Sequence, residues 1–168
     1  MSYRILFLLL LFSPSLWANA WFSPETDWSQ AAREAEKQAV PILLLVTGDH
    51  CGYCKRMEQE FLSRSDIHRF LEKRAVTREL SREQGGKMTD FDGERVRTRV
   101  FLDRYGIFAT PTLLLLSPLG TPLAPALVGY DDPESYAQRL KQRLARAESQ
   151  HSEKALAHSP RLVARSLP

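Results

Sequence analysis

Cys51 and Cys54 are the only cysteines in the chain, and they stand where a strongly apolar run gives way to an amphipathic one. Pro41 to Val46 is almost wholly aliphatic and predicts a strand over Ile42–Val46. Lys55 to Ser63 places Met57, Phe61 and Leu62 at helical spacing, which predicts a helix with one apolar face. Cys51 is therefore expected where a strand hands over to a helix. Unpaired backbone amides and the positive end of the helix dipole stabilise an anion at such a junction, and only the deprotonated sulfur attacks a disulfide. Cys51 is expected to be the nucleophile, and Cys54, one turn inside the helix, the resolving thiol.

The elements around this junction alternate between helix and strand, which predicts an α/β fold. Asp27 is a candidate N-cap for a helix running to about Ala39, ended by Pro41. After the Cys51–Cys54 helix, Ser63 or Ser65 can cap a further helical segment with Ile67, Phe70 and Leu71 on one face. Ala75 to Leu80 reads as a short strand. Arg82 to Gly93 is polar and rich in glycine and aspartate, so a loop is expected there. Asp90, Asp92 and Gly93 echo a calcium loop but supply too few ligands. A helical period then resumes from Glu94 to Tyr105 through Val96, Val100, Phe101 and Tyr105, and Gly106 ends it. Thr112 to Leu116, bounded by Pro111 and Pro118, is a second apolar run too short for a helix and predicts a buried strand. Ala124 to Tyr130 completes a hairpin, and Pro133 to Ala147 predicts a last helix with Tyr136, Leu140 and Leu144 inward. From Glu148 to the last residue, 168, the composition turns polar, and a disordered or partly helical tail is expected.

Residues 1–20 carry a different signal. Arg4 precedes the apolar stretch Ile5 to Phe12, and Ser13-Pro14-Ser15 leads to Ala18-Asn19-Ala20, a small-residue cleavage pattern. This reads as a secretory signal peptide, with an uncleaved membrane anchor as the alternative. A mature domain over 21–147 is expected, beginning near Trp21 outside the cytoplasm, where a disulfide can persist. Trp21, Phe22 and Trp28 could then line a partner surface or pack onto the sheet. The formal net charge is only +3, and acidic and basic residues alternate along the predicted helices. That pattern describes solvated faces, and no nucleic-acid partner is expected.

Two other uses of the cysteines compete with exchange. A zinc site needs two further ligands, and only His50 and His68 lie nearby in sequence, so no metal is expected. An inert staple in a binding module would gain only about 2 kcal/mol from so short a loop, against about 3 for one of about 15 residues.

Cys51-Gly52-Tyr53-Cys54 at a strand-to-helix junction, with Thr110-Pro111 entering an apolar strand that is followed by a hairpin and a helix, resembles the thioredoxin superfamily. The likeness spans about Trp28 to Arg146. It implies a single thioredoxin-like domain with a central mixed sheet of about four to five strands flanked by helices. It also implies that Pro111 is cis and faces the sulfurs, and that Thr110, Pro111, Gly52 and Tyr53 contact an extended substrate. The Gly-Tyr dipeptide and the threonine before the proline are most similar to the catalytic domains of periplasmic disulfide isomerases and to periplasmic thioredoxins associated with sulfur oxidation. Periplasmic thiol–disulfide exchange with substrate proteins is the implied activity, in the reductive or isomerase-like direction. The pair needs no cofactor, but a membrane redox partner must recycle it. His50 is a candidate for tuning the Cys51 thiolate. One position departs from the family: six residues before Cys51, where many members bury a carboxylate serving the resolving cysteine, stands Leu45. Asp49, Glu58 or a water would have to do that work.

Overall fold

The structure is a computed structural model that describes residues 22–24 and 26–157. The segment 1–20, Trp21 and residues 158–168 lie outside the described residues. The two apolar runs form the middle of the main sheet as β2 (Ile42–Thr47) and β6 (Thr112–Leu116), and every residue from Ile42 to Val46 and from Thr112 to Leu116 is buried. Covered on both faces, such strands have no polar position to spare, which is why each reads as an unbroken apolar run. Around them lie β1 (Ser23–Pro24), β3 (Val76–Ser81) and β7 (Leu127–Val128), in the order β1-β3-β2-β6-β7. β3 is parallel to both β1 and β2, whereas β6 is antiparallel to β2 and β7, giving a mixed five-strand sheet.

The period-2 alternation of the strands divides the core in two. On one face Ile42, Leu44, Val46, Val76, Leu80, Leu114 and Leu116 pack against α1 (Trp28–Gln38), α4 (Thr98–Arg104) and a small hairpin, β4 (Lys87–Thr89) with β5 (Arg95–Arg97). Trp28 is fully buried there, stacked on Phe101 with ring centroids 5.1 Å apart and donating its indole N–H to Met88 Sδ at 3.1 Å. On the other face Leu43, Leu45, Leu113 and Leu115 meet α2 (Gly52–Met57), α3 (Ser65–Leu71) and α5 (Pro133–Ala157). Met57, Phe61, Leu62, Tyr136, Leu140 and Leu144 all point into this second core.

Asp27 caps α1 as expected, its carboxylate accepting from the Gln30 N–H at 3.2 Å, and Ala39 closes that helix in the left-handed region at φ 54°. Other expectations are corrected. α3 is preceded by Arg64, whose side chain makes no cap, rather than by a capping serine. The loop expected over 82–93 contains β4, and the helix expected from Glu94 begins only at Thr98, because Arg95–Arg97 pair with Lys87–Thr89. This leaves Val100 about half exposed while Leu102 is buried in its place. The last helix does not stop at Ala147 but runs to Ala157, so of the two forms expected for the tail, disordered or partly helical, the stretch 148–157 takes the helical one. Of the two alternatives for Phe22 and Trp28, packing in the core is the one observed.

Candidate active site

Thr47 ends β2, Gly48 and a turn through Asp49 and His50 follow, and Cys51 occupies the N-cap of α2 in an extended conformation. The Cys51 N–H donates to the Gly48 carbonyl at 3.2 Å, closing that turn. Cys51 and Cys54 form a disulfide with an S–S length of 2.04 Å and Cα atoms 5.2 Å apart. The Cys54 backbone N–H points at Cys51 Sγ, 3.0 Å away. This amide is one of the donors that a helix start leaves without a backbone partner, and its position lets it stabilise negative charge on the Cys51 sulfur.

A second wall comes from the segment before β6. The Thr110–Pro111 peptide bond is cis, and Pro111 lines the same cavity as both cysteines. Gly48 permits the approach of this segment, since a Cβ there would lie 3.1 Å from Thr110 Oγ1 and 3.2 Å from a Glu83 carboxylate oxygen. The Thr112 hydroxyl donates to the Ala109 carbonyl at 2.7 Å, and the Gly129 N–H donates to the Pro111 carbonyl at 2.8 Å. These bonds tie the segment to β6 and β7.

Glu83 braces the junction from the end of β3. Its carboxylate accepts from the Asp49 N–H at 3.1 Å, and that bond, helped by the neighbouring Arg82, holds it below the usual glutamate range against the opposing cost of desolvation. Arg82 in turn donates to the Phe108 carbonyl at 3.3 Å. The Phe108 ring is 80% exposed and that of Tyr53 60%, so two large apolar groups stand in solvent on segments adjoining the disulfide. A Cβ at Gly52 would meet no atom within 4 Å, so nothing in the fold demands glycine at that position. His50 is exposed in the turn.

Behind the disulfide lies a cavity of about 480 Å³. Phe22, Leu45, Met57 and Leu62 form its apolar wall, and Thr47, Lys55, Glu58, His68 and Glu79 its polar one. The parallel register sets Glu79 of β3 beside Leu45 of β2, on the same face of the sheet. The Thr47 hydroxyl donates to the Glu79 carboxylate at 2.8 Å, fixing it along this wall. His68 Nε2 lies 2.6 Å from the Leu62 carbonyl, so that nitrogen carries the proton and donates it. Of the carboxylates anticipated for the cavity, Glu58 lines it, whereas Asp49 does not and accepts instead from Ser81 Oγ at 3.1 Å.

Glu79, Gly48, Glu83 and Phe108 are site residues that the sequence reading missed. A signal for Glu79 existed: in Val76–Ser81 the set Thr77, Glu79, Ser81 is polar throughout, which is unusual for one face of a strand lying inside a sheet. Among the described residues no group of three or more His, Cys, Asp or Glu side chains could hold a metal ion.

A mixed sheet with a cysteine pair at the start of a helix and a cis proline on the facing segment defines a thioredoxin-like fold. The chain belongs to the thioredoxin-like domain family, whose model matches residues 28–144. No curated protein sequence matches it. Among solved structures it is similar to a thioredoxin from Thermus thermophilus, with 22% identity, 72% of this chain and 85% of that one covered, and a TM-score of 0.55. A proposed disulphide-isomerase from Bacteroides thetaiotaomicron has 22% identity, coverage of 73% and 91%, and a TM-score of 0.59. The C-terminal domain of Neisseria meningitidis DsbD in its oxidised form has 16% identity, coverage of 68% and 90%, and a TM-score of 0.52. At these identities the likeness is one of fold.

Proposed function

We propose that this protein is an exported thiol–disulfide oxidoreductase that exchanges its Cys51–Cys54 pair with substrate proteins in the periplasm. The observation that carries this reading is the Cys54 N–H held 3.0 Å from Cys51 Sγ at the start of a helix, which favours Cys51 as thiolate and leaving group. In the reductive direction the Cys51 thiolate attacks a substrate disulfide, forming a mixed disulfide and releasing one substrate thiolate. Cys54, as thiolate, then attacks Cys51 Sγ. The Cys51–Cys54 bond forms, the bond to substrate breaks, and the substrate leaves with two electrons more than it brought. Reversal of the same steps donates a disulfide. The reductive or isomerase-like direction is the one the family resemblance favours, and a membrane protein delivering electrons is the partner it suggests.

Gly52, Tyr53, Thr110 and Pro111 are assigned to substrate contact, with Phe108 added by its exposure beside Thr110. Two aromatic rings offer a partner chain large contact area at small entropic cost. The fold likeness to the DsbD C-terminal domain, solved in both oxidised and reduced forms, agrees with a pair that cycles. The export assignment rests on the pattern of residues 1–20, and recovery of a periplasmic form whose first residue is Trp21 tests it.

The chemistry is tested by Cys54→Ser. This variant is expected to accumulate mixed disulfides with periplasmic proteins that migrate separately on non-reducing gels, and Cys51→Ser to accumulate none. If Cys54→Ser traps nothing, the inert-staple reading replaces the enzyme.

A further inference from the structure

We infer that Glu79, reaching in from β3, is the carboxylate that moves the proton of the resolving thiol, and that it works through water in the cavity behind the disulfide. This rests on the exchange reading above and names the residue that completes it. Before Cys54 can attack, its thiol must lose a proton, and an ordinary cysteine with a pKa of about 8.5 is mostly protonated at neutral pH. Leu45, on β2 beneath the pair, has no group to take it.

The sheet register supplies the group from the next strand. Leu45 and Glu79 are partners across the parallel β2–β3 pair, so their side chains leave the same face at the same level. Both line the cavity that Cys54 also lines. The Thr47 hydroxyl donates to one Glu79 oxygen and leaves the other available. The cavity, at about 480 Å³, exceeds by more than an order of magnitude the space a single water needs, and its polar wall can hold one between carboxylate and sulfur.

The other titratable groups facing this space are Lys55, Glu58 and His68. His68 donates its Nε2 proton to the Leu62 carbonyl, which leaves Nδ1 as its acceptor nitrogen, so His68→Gln must resolve as fast as wild type if Glu79 is the base. Lys55, as a cation, cannot accept a proton. Glu58 is exposed on the outer rim, whereas Glu79 is partly buried on the sheet floor and anchored by Thr47. In the resolving step the Cys54 S–H proton passes through water to Glu79. The Cys54 electron pair forms the bond to Cys51 Sγ, and the Cys51–substrate bond pair departs on the substrate sulfur. That thiolate is protonated from Glu79 or solvent.

The test is a two-phase reaction of the reduced, purified chain with dithiobis-nitrobenzoate. Cys51 releases the first nitrothiobenzoate, and Cys54 releases the second as it resolves the mixed disulfide. Glu79→Gln is expected to leave the first phase unchanged and slow the second by about 10²-fold at neutral pH. The loss should narrow as pH approaches about 8.5, where the thiol ionises unaided. Glu58→Gln should leave both phases as in wild type. The inference is overturned if Glu79→Gln slows neither phase, slows both equally, or shows no pH dependence in its loss, or if Glu58→Gln produces the slowing instead. A wild-type chain that releases no nitrothiobenzoate at all would overturn the exchange reading itself, a result distinct from a wild type that resolves no faster than Glu79→Gln.

Discussion

The two faces of the sheet are built to different ends. Beneath α1 and α4, the strand residues facing the core are aliphatic except Thr112, whose hydroxyl is bonded to the Ala109 carbonyl, and Arg78, which pairs with Glu34. Trp28 and Phe101 fill the remaining space. Beneath α2 and α3, β3 presents Thr77, Glu79 and Ser81 instead, and a cavity of about 480 Å³ opens beside the cysteines. One face is packed for stability. The other gives up packing next to Cys54 to keep a carboxylate, a hydroxyl and room for water, a concession that makes sense where a proton must move.

Truncation should separate the faces most sharply. Trp28→Ala is expected to cost about 3–5 kcal/mol, read as a fall in the urea midpoint, with the exchange rate of the remaining folded protein unchanged. Leu62→Ala, at the wall of a cavity that already exists, should cost only about 2 kcal/mol, the low end for such a change. Equal losses at the two positions would erase the distinction. Glu79→Leu sharpens it further: it takes away the acceptor of the partly buried Thr47 hydroxyl, so a loss of about 1 kcal/mol is expected while resolution of the mixed disulfide slows. A loss well beyond that would show Glu79 to be a packing residue.

The smallest effect is expected at Glu83. Its carboxyl is held below the usual value by the Asp49 N–H, so the bond contributes stability above about pH 4.3 and loses it as pH falls through the lower, folded value. The melting temperature of Glu83→Gln should therefore lie slightly below wild type at neutral pH and converge with it in acid. A gap that persists at low pH would assign the effect to something other than this charge.

Legibility in the sequence followed burial. β2 and β6 were readable because a strand covered on both faces tolerates no polar residue, and α1 because Asp27 caps it. The helix register after the cysteines followed from Met57, Phe61 and Leu62, although the π-helical turn over Glu58–Leu62 has no mark in the side-chain pattern. The β4–β5 hairpin was hidden because its strands are three residues each and bury Met88 fully and Thr89 and Val96 in part, while Lys87, Arg95 and Arg97 stay in solvent. The cysteine pair was visible in the chain itself. Glu79 was marked only by the polar set Thr77, Glu79, Ser81, and its place beside Cys54 was not legible, because that comes from the register of two strands more than 30 residues apart.

Whether Cys51–Cys54 is a working redox pair is read from its reduction potential. Equilibrating the purified protein in glutathione or dithiothreitol buffers should give a value between about −270 and −180 mV with rapid exchange, the range from thioredoxin to disulfide isomerase. A value below about −300 mV with slow exchange is that of a structural bridge, and would mean that the pair does not cycle.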